Sequence, residues 1–75
     1  DDIVISLGGA ENIENIDACI TRLRVTVKDA SKVSDDARWK ELQAKGVLRS
    51  GNGVQVVYGT QAEIYKNKIR EKYRV

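Results

Sequence analysis

The 75-residue sequence has no proline, histidine, methionine or phenylalanine, and a single cysteine. Each absence excludes something. One cysteine forms no internal disulfide, and a lone thiol fits a reducing compartment. Without histidine there is no cysteine–histidine nucleophile pair, and no imidazole to join the thiol on a metal. No glycine-rich segment ends in Lys-Ser or Lys-Thr, so a nucleotide has no phosphate loop here. No group of carboxylates points to magnesium. Neither a metal nor a cofactor is expected. No apolar run reaches the length of a membrane span, and no signal peptide is visible. The chain opens on Asp1-Asp2-Ile3 rather than on methionine, as a piece of a longer protein would.

The 13 basic and 11 acidic side chains leave a formal charge of +2. That surplus is too small to argue for a nucleic-acid partner. The length allows one domain, residues 1–75, with a modest core built mostly from aliphatic residues.

Glycine does most of the punctuating. Ile3 to Leu7 followed by Gly8-Gly9 predicts a short helix stopped by glycine. From Asn15 to Val27 the pattern alternates: Ile16 and Ala18 against Asp17 and Cys19, then Leu23, Val25 and Val27 against Arg22, Arg24 and Thr26. A period of two predicts half-buried strands joined around Cys19 to Thr21. Ser34-Asp35-Asp36 starts a helix, expected over Asp35 to Lys45, that turns Trp39 and Leu42 inward and stops at Gly46. Val47 to Ser50 and Val54 to Tyr58 flank Gly51-Asn52-Gly53 as a hairpin. Thr60-Gln61-Ala62-Glu63 reads as a capping box, and Tyr65, Ile69 and Tyr73 form one stripe on a last helix. The remaining charges of that helix read as a solvated face. The expected fold is α+β, in the order α-β-β-α-β-β-α. Three helices cover one face of a four-stranded antiparallel sheet, and the open face displays Arg22, Arg24, Thr26 and Gln55.

The chemistry concentrates in Asp17-Ala18-Cys19-Ile20-Thr21-Arg22-Leu23-Arg24. Cys19 falls at a strand end on the polar side of the alternation, where a packing cysteine is out of place. Arg22 and Arg24 share a face of the next strand and can swing toward the sulfur. Nearby guanidinium groups favour a thiolate. Arginine also presents a donor fork that fits a phosphate in bidentate fashion. A turn leaves backbone amides free as an anion nest, and Thr21 adds a hydroxyl donor. Nucleophile, cationic clamps and amides are the parts that hold a phosphoryl group, and with no nucleotide loop the donor would be another protein.

Blander readings stand beside these. A lone cysteine can be a small buried hydrophobe. The two arginines and Gln55 can be an ordinary solvated face, and Asp17 can cap the turn or pair with an arginine. The basic face could serve a regulatory or nucleic-acid-binding module, although it lacks aromatic residues for base stacking. A redox thiol would need a resolving cysteine from elsewhere.

The segment Asp17 to Val25 resembles the phosphorylation-site signature of glucose-type IIB domains of the bacterial sugar phosphotransferase system. The resemblance continues through Gly8-Gly9, Glu11-Asn12-Ile13, Asp29, Lys32-Val33, Gly46-Val47, Gly51 to Gln55 and Val57 to Thr60. Trp39, Ile16 and a middle helix one residue longer depart from the usual pattern. The resemblance implies that Cys19 accepts a phosphoryl group from a phosphohistidine of a IIA protein or domain. It implies onward transfer to a sugar held by a membrane IIC domain, an enzymatic role without nucleic acid. Cys19, Arg22 and Arg24 would then be catalytic, with Thr21, Ile20, Asp17 and Gln55 lining the site. A transcriptional regulator is a further partner of that kind. The location implied is the cytoplasmic face of the bacterial inner membrane, as a soluble domain of a larger permease.

Overall fold

A computed structural model describes residues 2–74. The order is α1 (Asp2–Ser6), β1 (Ile13–Ala18), β2 (Arg22–Val27), α2 (Asp36–Glu41), β3 (Gly46–Ser50), β4 (Gly53–Val57) and α3 (Ala62–Tyr73), with short 3-10 turns between. The strands form one antiparallel sheet in the order β1-β2-β4-β3. The expected α+β architecture is therefore present, with β2 and β4 at its centre.

One face of the sheet is dry. Leu23, Val25 and Val27 alternate inward along β2, Val54 and Val56 along β4, and all are buried. Ile13 and Ile16 on β1 are both buried although three residues apart. A bulge reconciles them: Ile13 pairs with Val27 and Asn15 with Thr26, so Glu14 is the extra residue. Helix α3 lies across β1 and β2 and buries Ile69, while α2 lies against β3. Tyr65 and Tyr73 are partly buried against the same core. Trp39 of α2 is fully buried, and its Nε1 donates to the Ser34 carbonyl at 3.1 Å.

Both hydrogen bonds of a Schellman ending close α1, from the Gly8 amide to the Ile5 carbonyl and from Gly9 to Val4. Glycine stops this helix as expected. Helix α2 is shorter than expected and does not reach Gly46. Gln43 takes the left-handed backbone (φ 71°), and the amides of Gln43 and Ala44 close the same motif on Lys40 and Trp39. Glutamine occupies the position that glycine usually fills, so no stop signal is legible at that residue. The start is as expected: the Asp35 carboxylate accepts from the Arg38 amide at 3.0 Å.

Two further expectations are corrected. Thr60 does not cap α3. Gly59–Gln61 wind into a 3-10 turn that runs straight into the helix, and the N-cap Gln61 already has helical angles and makes no side-chain cap bond. The β3–β4 turn is one residue tighter than read, with Ser50 facing Gly53. Gly51 has φ +56° whereas Asn52 has negative φ, the pattern of a type II′ turn.

Tyr58, just after β4, is buried in edge-to-face contact with Tyr65, ring centroids 4.9 Å apart. Its hydroxyl has no hydrogen-bond partner among the described residues. Burial, and secondarily the Tyr65 hydroxyl, pushes its pKa up to about 12. An unfolded tyrosine titrates at about 10. The neutral phenol is thus favoured by the fold: its contribution is complete below the unfolded value and is lost as pH rises between the two. In denaturant melts Tyr58→Phe should be more stable than wild type at pH 7 by about 1 kcal/mol, because an unpaired buried hydroxyl is removed. Its advantage should widen between pH 10 and 12. A constant difference across that range would contradict the linkage.

Candidate functional site

The open face is built by the central strands. The register places Asp17, Arg24, Gln55 and Leu48 in one row across β1, β2, β4 and β3. Arg22 lies on the same face of β2, two residues before Arg24. The opposite alternation buries Leu23 and Val25, so the packing of the core fixes which way the arginines point.

Residues 19–21 join β1 to β2. The Cys19 amide donates to the Arg22 carbonyl at 2.8 Å and closes the connection into a tight hairpin. Cys19 is exposed rather than packed inside. Arg24 Nη1 lies 3.7 Å from Cys19 Sγ. Arg22 turns the other way, and its Nη1 donates to Gln55 Oε1 at 3.1 Å. The two guanidinium groups thus differ: one is on the sulfur, the other is held over β4.

The other expected residues divide. Ile20 is the most exposed large apolar side chain among the described residues, at 83 %. Thr21 contributes its carbonyl, which accepts from the Tyr58 amide at 3.0 Å and the Gly59 amide at 2.9 Å. Among the described residues no acceptor takes the backbone N–H of Ile20 or of Thr21. These amides remain available for an anion. Among the described residues Asp17 makes no ion pair with an arginine. Its Oδ1 accepts from the Ala18 amide at 2.8 Å and lies 4.0 Å from Lys66 Nζ.

Sequence reasoning missed three of these neighbours. Lys66 was expected in the solvated face of α3, yet its side chain is only 15 % exposed and reaches the β1 edge beside Asp17. Helical periodicity alone gives no sign of that reach. Tyr58 and Gly59 act through backbone amides, which no side-chain pattern reveals. A shallow depression of roughly 310 Å³ lies beside Arg24, lined by Asn15, Asp17, Thr26 and Gln55 among others. Gly53 also lines it.

Fold and site define a small α+β domain that presents one thiol, with a guanidinium in contact, on an uncovered sheet face. Comparison with known proteins agrees. The model of the phosphotransferase system EIIB family matches residues 1–33. The glucose-specific EIICBA component of a PTS system from Streptococcus pneumoniae serotype 4 is 51 % identical over 69 residues, 92 % of this chain and 10 % of that protein. The alpha-glucoside-specific EIICB component from Leptotrichia buccalis is 48 % identical over 69 residues, again 92 % of this chain, and 13 % of that protein. The chain therefore spans about a tenth of the length of these curated relatives. The crystal structure of one domain of the PTS system IIabc component from Clostridium difficile superposes with a TM-score of 0.70. It is 32 % identical, over 95 % of this chain and 74 % of that one. The chain belongs to the EIIB family of the sugar phosphotransferase system.

Proposed function

We propose that this chain is a phosphoryl carrier domain in which Cys19 holds the group in transit. The observation that carries the reading is the 3.7 Å contact between Arg24 Nη1 and an exposed Cys19 Sγ. A cation at that distance balances charge that builds up on a phosphoryl group held by the sulfur. The unpaired amides of Ile20 and Thr21 supply donors at the same turn.

In the first step the sulfur attacks phosphorus of a phosphohistidine on a IIA partner. The S–P bond forms as the N–P bond breaks, and the imidazole leaves. In the second, a sugar hydroxyl oxygen attacks phosphorus: the O–P bond forms as the S–P bond breaks, and the departing sulfur takes up the hydroxyl proton. Arg22 is close enough in sequence and on the right face to leave Gln55 and take phosphoryl oxygens alongside Arg24. Asp17, Ile20, Thr21 and Gln55 border the group. The relatives named EIICBA and EIICB join a B element to C, and in one case to A. Residues 1–75 would thus be one domain of a larger permease, working at the cytoplasmic face of the membrane between IIA and the sugar-binding IIC. No helix among the described residues is long and apolar enough to cross a membrane, so this part does not supply the span.

The test is direct. The protein is incubated with a phosphorylated IIA protein and its intact mass is measured. Wild type should gain one phosphoryl group and Cys19→Ser none. Equal responses of the two proteins would end the carrier reading.

A further inference from the structure

We infer that Gly59 is a positioning residue for the thiol site, acting through the turn that carries Cys19. This rests on the carrier reading and adds to it a residue that touches neither the sulfur nor either arginine. The tip of a hairpin is ordinarily held only by its own closing bond and frays readily. Here the tip has a second anchor. The Thr21 carbonyl accepts two hydrogen bonds, from the amides of Tyr58 and Gly59, at 3.0 and 2.9 Å. Both of its lone pairs are used.

The backbone of Gly59 makes this possible. Its φ is +73°, in the left-handed region, and this bend lets consecutive amides converge on one oxygen. The consequence reaches the site through planar geometry. A trans peptide sends the N–H to the side opposite its carbonyl. Holding the Thr21 carbonyl toward β4 therefore turns the Arg22 amide toward β1, the side of Cys19. It also fixes the peptide plane next to the free amides of Ile20 and Thr21.

A methyl group at Gly59 would not collide. Its nearest neighbour would be Lys45 Nζ at 3.5 Å, an ordinary contact. Gly59→Ala therefore acts on the backbone alone. An L-residue resists positive φ, with asparagine the more tolerant. Relaxation to negative φ would swing the amides off Thr21 and free the turn.

The experiment compares wild type, Gly59→Ala, Gly59→Asn and Val27→Ala as a destabilised control. Val27 is buried at the far end of β2, paired with Ile13. Phosphoryl acceptance from phosphorylated IIA is timed by intact mass, and amide hydrogen exchange is followed at Tyr58 and Gly59. Gly59→Ala should accept about ten- to hundredfold more slowly, as a misplaced reacting group does. Exchange at Tyr58 and residue 59 should accelerate while core amides stay protected. Gly59→Asn should recover much of the rate, and Val27→Ala should keep it. A Gly59→Ala rate equal to wild type, a loss matched by Val27→Ala, or no recovery in Gly59→Asn would overturn the inference and leave the carrier reading standing. A wild-type protein that gains no phosphoryl group would remove both.

Discussion

Trp39→Ala is expected to remove about half of the folding stability of the domain. The indole is fully buried where α2 meets the sheet, and it is the largest side chain in the core. Replacing such a residue by alanine costs about 3–5 kcal/mol from lost transfer energy and the residual cavity. The substitution also removes one of two donors to the Ser34 carbonyl, which keeps Arg49 Nη2 at 2.6 Å. A domain of this size holds only about 5–10 kcal/mol in total. Denaturant titration followed by far-UV circular dichroism would show the loss. Trp39→Phe should keep the fold with a smaller deficit. An alanine variant within about 1 kcal/mol of wild type would mean that the core does not depend on this contact.

The second large effect is on transfer rather than on folding. Arg24→Lys should slow passage of the phosphoryl group to the sugar by about a hundredfold, the scale of losing one preorganised charge-stabilising donor. Lysine keeps the charge but loses the planar fork, so a sulfur and a phosphoryl oxygen can no longer be held together. The side chain stands on the open face, so the melting temperature should barely move. Arg22→Lys should behave differently before phosphorylation, because Arg22 contacts Gln55 and not the sulfur. Single-turnover transfer from the phosphorylated variant, with a IIC-containing membrane preparation and sugar, measures the effect. Transfer at the wild-type rate would show that charge alone suffices at this position.

Much of this molecule is legible in its alternation. Leu23, Val25 and Val27 against Arg22, Arg24 and Thr26 define both faces of β2, and the structure follows that pattern residue by residue. Cys19 at the strand end, exposed with Arg24 beside it, follows from the same count. What escaped has a common cause. The end of α2 depends on a glutamine in a left-handed conformation, and the start of α3 on a 3-10 turn. Both are settled by tertiary packing against local preference. The bulge at Glu14 shifts the phase of β1, which no strict period of two can register. Lys66 reaches around the sheet edge to Asp17, a contact set by where α3 lies and not by its own periodicity. The Thr21 anchor is made of main-chain groups, which carry no signature in side-chain identity.

Helices α2 and α3 lie on the inner face of the sheet and α1 joins the same core, while the thiol is exposed, with nothing folded over it among the described residues. Among the described residues nothing forms a lid, so on the carrier reading shelter from water for a group on that sulfur would be lent by the protein docked there. Two proteins that both need the same sulfur cannot sit on this small platform at once. If Cys19 carries the phosphoryl group as proposed, donor and recipient take turns at it.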